Sequence, residues 1–197
     1  MKIFFAVIAA IALIVSCAVL PPPETAVIPE IPETPEYIMG KGTVPEEQLA
    51  AFLLYTNMGA DGDFVRRLAA YYVEEAAAEG VNHDTAFAQM CLETGFLRYG
   101  GLVTPDMNNF CGLGAIGPGQ TGHIFPDARS GVRAHIQHLQ AYASTGPLNQ
   151  DLIDPRYRYV KRGSSPTIYG LAGTWAADRA YSEKISTILQ RLYEFAY

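Results

Sequence analysis

The 197 residues are enough for one domain with an appendage rather than two full domains. Apolar types make up 49% and charged types 17%, which excludes a disordered polar chain, although 18 glycines and 13 prolines require extensive loops. A net charge of −6, with Arg156, Arg158, Lys161 and Arg162 as the sole local cationic cluster, argues against nucleic acid as the main partner. Such a cluster is ordinarily a solvated loop, although the carboxylates of a cell-wall stem peptide would be a natural counterpart.

Met1-Lys2 leads into an unbroken apolar run from Ile3 to Val15, which suits the core of an export signal but is too short to span a bilayer. The run ends in Ile14-Val15-Ser16-Cys17, which resembles the bacterial lipobox, where cleavage leaves a lipid-bearing cysteine first. Residues 1–16 are therefore expected to be a lipoprotein signal peptide and Cys17 the lipidation site. Ala18 rather than Asp after that cysteine points to the outer membrane, periplasmic face, if the cell is Gram-negative. Several acyl chains would anchor the chain stably, where one binds only marginally. Seven prolines between Pro21 and Pro45 favour extended chain, so residues 17–44 are expected to be a tether. The globular domain is assigned to 45–197.

Helical spacing governs that domain. Leu49, Phe52 and Leu53 mark one helix, and Val65, Leu68, Ala69, Tyr72, Val73 and Ala76 mark a second, stopped by Gly80. A third should start at a capping Asp84, with Phe87, Met90, Cys91 and Thr94 as its buried stripe. Val132, Ile136, Leu139 and Ala143 trace a fourth, and Tyr181, Ile185, Ile188, Leu189 and Leu192 a fifth. Residues 95–125 and 144–166, rich in Gly, Pro and Asn, should be loops lining a cleft, with at most a short hairpin near 113–125. The expectation is a mostly α domain with a cleft between helical lobes.

Glu93 stands at the edge of the third helix's apolar stripe, just before Gly95. Partial burial against Met90 and Phe96 would raise its pKa, as a general acid for glycoside cleavage requires. An acidic residue at a helix end is more often solvated, so spacing alone does not decide.

The wider pattern does more. Ala86-Phe87-Ala88-Gln89-Met90-Cys91-Leu92-Glu93-Thr94-Gly95 is followed by Asn108-Asn109-Phe110-Cys111-Gly112-Leu113, by Phe125, by a helix from Gly131 to Tyr142, and by Trp175-Ala176-Ala177-Asp178-Arg179-Ala180-Tyr181. Over roughly residues 62–193 this resembles the glucosaminidase domain of glycoside hydrolase family 73, which includes flagellar and autolytic peptidoglycan hydrolases. The resemblance implies a lysozyme-like α+β fold and hydrolysis of the β-1,4 bond between N-acetylglucosamine and N-acetylmuramic acid, with Glu93 as general acid. It implies that Tyr181 lies beside Glu93, orienting the water or the acetamido group, unless it is simply core.

Asn108 and Asn109 would shape a loop over the cleft, where an Asn amide can bind sugar hydroxyls or N-acetyl groups, with one of the two expected to be structural and Phe110 beside them. Trp175 could stack on a sugar, although a lone tryptophan is more often core. Asp178 is a further substrate-side candidate or a helix cap. The chain departs from the family where a second carboxylate is usual: the stretch from Ile116 to Phe125 holds no acid, Asp127 is the nearest substitute, and Asp106 and Asp178 are weaker ones. Catalysis assisted by the sugar's own acetamido oxygen would need no such nucleophile.

No CxxC pair is present, and Cys91 and Cys111 are either one disulfide or two buried thiols. His135 and His138, three apart, are expected on a polar helix face rather than at a metal. The expected partners are peptidoglycan strands and, through Cys17, a membrane; a monomer without cofactor or metal is expected. The competing readings are a lytic transglycosylase, an enzyme of the N-glycan chitobiose core, and a noncatalytic wall-binding lipoprotein.

Overall fold

The computed structural model describes residues 31–197, apart from Pro118 and the side chain of Ile116. The export signal, Cys17 and the tether as far as Glu30 lie outside the described residues.

Five α-helices carry the domain: α1 (Glu46–Thr56), α2 (Gly62–Glu79), α3 (His83–Glu93), α4 (Ala128–Ala143) and α5 (Tyr181–Ala196). Three short 3₁₀ turns and one two-stranded hairpin, β1 (Ala115–Gly117) and β2 (Gln120–Thr121), lie in the connections. The hairpin pairs antiparallel, Ala115 with Thr121 and Gly117 with Gln120. Apolar positions on all five helices meet in one core that includes Leu53, Leu68, Phe87, Leu139 and Leu189. Within it α3 is buried from His83 to Cys91. No helix among the described residues is long and apolar enough to cross a membrane.

Local chemistry sets the helix ends. Asp61 caps α2 by accepting from Asp63 N and Phe64 N, and Gly80 ends it at φ 71°. The cap of α3 is Asn82, which accepts from Asp84 N and Thr85 N, not Asp84 as the spacing suggested. Asp84 is instead fully buried and ties three segments together: it accepts from Thr43 N at 2.8 Å, Val44 N at 3.2 Å and the Tyr193 hydroxyl at 2.8 Å. A carboxylate without solvent must be matched by donors, and these supply them.

The donors at Thr43 and Val44 belong to a stretch that composition assigns to the tether. In the structure Glu36 to Val44 is bonded into the domain. Ile38 is fully buried, its N–H donates to Pro166 O, and its carbonyl accepts from Asn82 N. Proline density spoke for an extended chain, and the segment is extended; the buried Ile38 and Val44 fix it in place.

On the opposite side, α4 packs across α2. Glu75, 1% exposed, accepts from Arg129 Nε at 2.5 Å, Arg133 Nε at 2.8 Å and Gln150 Nε2 at 3.0 Å. Burial alone would raise its pKa, but the bonds from Arg133, Gln150 and Arg129 outweigh it and leave the pKa lowered. A depressed carboxyl pKa contributes stability above its unfolded value that disappears as pH falls through the folded value. Glu75→Ala should therefore cost about 1–2 kcal/mol near neutral pH, since Arg129 and Arg133 keep access to solvent once their buried partner is gone. Urea midpoints read across pH should show that gap narrowing in acid.

Candidate active site

Immediately after Glu93 the backbone makes an abrupt reversal. Gly95, Phe96 and Leu97 all take left-handed conformations, at φ 58°, 57° and 61°. Two of these are not glycine, at a cost of about 1–2 kcal/mol each. Phe96 N–H to Cys91 O and Tyr99 N–H to Thr94 O, both 2.7 Å, hold the turn, as does Leu97 N–H to Thr94 Oγ1 at 2.9 Å. The reversal ends α3 at Glu93 and opens the helix terminus onto a cleft.

That cleft is a cavity of about 300 Å³ lined by Glu93, Tyr99, Leu102, Val103, Asn109 and Trp175, among others. A second cavity, of about 260 Å³, shares Cys111, Gly112, Ala115 and Trp175 with it, so the two form one trough passing beside the indole. Among the described residues Glu93 is the one Asp or Glu lining either cavity.

Glu93 Oε1 accepts from Trp175 Nε1 at 3.0 Å and from the Tyr181 hydroxyl through a short bond. With Oε1 doubly occupied, Oε2 is left to carry a proton, and it faces Gly112. A Cβ there would stand 4.0 Å from Oε2, and Gly112 has φ 71°, so glycine keeps this side of the oxygen open. The carboxyl opens onto the cleft yet is flanked by protein on most sides. That crowding raises its pKa, against the lowering effect of the Tyr181 and Trp175 bonds.

Behind the pair runs a buried polar chain. Gln89 Nε2 donates to the Tyr181 hydroxyl at 2.8 Å, Gln89 Oε1 lies 2.9 Å from His135 Nε2, and His135 Nδ1 lies 2.9 Å from the Tyr72 hydroxyl. Burial drives the His135 pKa down to about 3, so the ring is neutral. Because Gln89 spends its amide N–H on Tyr181, its carbonyl must accept from His135 Nε2–H. Nδ1 is then the acceptor for Tyr72. Every donor in the chain points toward Glu93.

The structure thus brings together Glu93, Tyr181 and Trp175. Trp175 both packs and lines the trough: its ring centroid is 5.0 Å from that of His138 and 5.5 Å from that of Tyr142. The other sequence candidates take different positions. Asp127 caps α4 by accepting from Ser130 N and lines neither cavity. Asp178 accepts from Ala180 N and pairs with Lys184 at the start of α5, and Asp106 accepts from Thr104 Oγ1. Phe110 is 1% exposed and packs toward Phe64, so it belongs to the core.

Both asparagines serve the backbone. Asn108 is left-handed, at φ 50°, and donates to Phe125 O; a Cβ at Gly131 of α4 would lie 1.7 Å from its carbonyl oxygen, so this close packing needs glycine. Asn109 donates to Leu113 O and His123 O and accepts from Leu113 N, although it borders the cleft. Cys91 and Cys111 are both free and buried. His135 and His138 do not form a polar face: His135 is fully buried in the chain behind Glu93, and His138 Nδ1 lies 2.7 Å from Asp154. Their side of α4 is covered by Trp175 and Tyr72.

Sequence reasoning placed Tyr72 on a buried stripe and Gln89 within the motif around Glu93, but gave neither a part in a buried polar chain. The available signal was register: Gln89 precedes Glu93 by one turn on the buried side of α3, and His135 follows Val132 by three on α4.

Residues 69–194 match the glucosaminidase family, described as mannosyl-glycoprotein endo-beta-N-acetylglucosaminidase. The chain belongs to that family. An "Uncharacterized protein" of Borreliella burgdorferi is 42% identical over 159 residues, covering 81% of this chain and 78% of that one. The glucosaminidase fold also matches the crystal structure of S. aureus Autolysin E in complex with muropeptide NAM-L-Ala-D-iGlu, with TM-score 0.53 and 12% identity, over 81% of this chain and 71% of that one. The helical, lysozyme-like architecture expected of a glucosaminidase is the one observed.

Proposed function

We propose that the protein is a peptidoglycan hydrolase that cuts the β-1,4 bond between N-acetylglucosamine and N-acetylmuramic acid, with Glu93 as its general acid. The observation that carries this is the Glu93 carboxyl itself, opening onto the trough with a raised pKa and its Oε1 fixed by Tyr181 and Trp175. Family membership supports the reaction class, and the muropeptide bound to the similar autolysin supports the substrate class.

The chemistry follows from the donor set. Oε2–H gives its proton to the glycosidic oxygen as the bond to the anomeric carbon breaks. No second carboxylate lines the trough among the described residues. The reading therefore uses the substrate's own acetamido carbonyl oxygen as nucleophile, forming a cyclic oxazolinium ion. Water then attacks the anomeric carbon, passes a proton to Glu93 and reopens the ring, restoring the acid. Tyr181, fixed as a donor, stays beside Oε1 as Glu93 becomes an anion.

Peptidoglycan digested with the purified full chain, reduced with borohydride and weighed by mass spectrometry tests this. Reduced N-acetylglucosamine ends support the proposal. Reduced muramic acid ends overturn it, and anhydro-muramic ends make the protein a lytic transglycosylase, for which an intramolecular attack also needs no second carboxylate. Binding without products would mark a noncatalytic wall-binding protein.

We also propose that the chain is exported and held on the membrane by lipid on Cys17, on the strength of the apolar run and the lipobox-like sequence. Cys17→Ala should shift the protein from the membrane fraction to the soluble one. Retention on the membrane would sink the anchor.

A further inference from the structure

Arg156 stands where the second cavity of the trough meets a third one under the hairpin, lined by Gly114, Gln120, Thr121, Gly122 and His123. No acid lines either cavity among the described residues. The guanidinium lies over the Tyr159 ring at 4.7 Å and has no carboxylate within 4.0 Å among the described residues. Its nearest acid in sequence, Asp154, is already engaged: Oδ2 faces His138 Nδ1 at 2.7 Å, and Oδ1 accepts from Arg156 N–H at 2.8 Å.

The neighbouring cations are placed differently. Arg158 donates to the Tyr159 hydroxyl at 2.6 Å, Arg162 donates to carbonyls at Ser144 and Gly146, and neither lines the trough. One free guanidinium, supported from below by an aromatic ring, therefore faces the same trough that Glu93 opens onto. A planar fork of this kind suits a carboxylate, which it can bind through two parallel hydrogen bonds. It also offsets a general handicap, since a protein of net charge −6 would otherwise repel a polyanionic substrate.

We infer that Arg156 forms a subsite for a carboxylate on the peptide stem of the glycan substrate, across Trp175 from the reacting bond. This rests on the glycan reading above and assigns that substrate its charged half. It gives the trough a polarity: a strand enters with the stem-bearing sugar on the Arg156 side. Neutral glycans would bind only through their sugar hydroxyls and acetamido groups.

The test is sedimentation binding to insoluble peptidoglycan, untreated or with its carboxylates converted to methylamides, using full chain carrying Glu93→Gln to block turnover. Adding Arg156→Gln should weaken binding about tenfold to untreated wall and leave binding to amidated wall unchanged. Arg158→Gln, which removes the same charge outside the trough, should bind both as the Glu93→Gln chain does. Equal weakening on both preparations, or none on either, overturns the subsite. If wall digestion yields no glycan products while carboxylate-dependent binding through Arg156 persists, the hydrolase reading falls and the subsite stands. If the Glu93→Gln chain binds neither preparation, both fall.

Discussion

Glu93→Gln should lower the rate of glycan cleavage by a factor of about 10³ while leaving the thermal midpoint close to that of the parent. The amide keeps an acceptor oxygen at the Oε1 position, so the bonds from Trp175 Nε1 and Tyr181 can persist. What it lacks is a proton that can leave Oε2. Product ends counted after borohydride reduction give the rate, and circular dichroism on heating gives the fold. A variant that keeps a tenth of parental activity would remove Glu93 from the chemistry. In the parent, activity should fall as pH rises through the raised Glu93 pKa, because the proton being transferred is then lost.

The second large effect is expected at a residue that touches no substrate. Gln89→Leu removes the N–H that Tyr181 oxygen accepts and the carbonyl that His135 Nε2–H needs, both in a fully buried environment. Stranding those groups should cost about 2–4 kcal/mol of stability. Activity at a temperature where the variant remains folded should fall about tenfold, because Tyr181 is no longer held as a donor to Glu93. A purely structural role for Gln89 would leave the pH profile alone. Weaker donation from Tyr181 favours the neutral carboxyl, so the Glu93 pKa should rise and the basic limb of kcat/KM should move to higher pH. Tyr181→Phe should move it the same way and further. An unmoved limb in both variants would detach the buried chain from the acid.

The helices were legible because each carries an apolar stripe at helical period, and each stripe is buried: Val65, Leu68 and Tyr72 on α2, and Ile185, Leu189 and Leu192 on α5. Glu93 stood out as a candidate through the motif around it, because its place at the edge of a stripe did not separate a solvated carboxyl from one in a cleft. The buried chain was not legible, because its members lie 46 and 63 residues apart in the bonds they make, and Gln89 and His135 are polar types. A pattern that sorts residues by polarity sends such groups to the surface; satisfied pairwise, they are cheap to bury. Asp127 and Asp178 failed as cleft residues for the opposite reason. Short side chains beside helix starts find backbone N–H groups at once, Ser130 N and Ala180 N here. The asparagine pair was expected to shape the loop with one of the two structural; in the structure both amides bond backbone, Asn108 to Phe125 O and Asn109 to Leu113 and His123, while Asn109 still borders the cleft.

Asp84 and Glu93 sit at opposite ends of α3, one clasping Thr43 and Val44 and the other opening onto the cleft. If the stretch from Glu36 to Val44 peeled away, Asp84 would keep the Tyr193 hydroxyl but lose both backbone donors in a solvent-free position. The stretch and the helix should therefore open together as one cooperative unit, with amide protons at Ile38 and Gly40 exchanging as slowly as those in the core. A protease digesting the native protein from its amino-terminal side would meet resistance at about Glu36, ten residues ahead of the first helical residue, Glu46. A chain recut to begin at Pro45 would retain every residue of the cleft and lose the clasp that holds its floor.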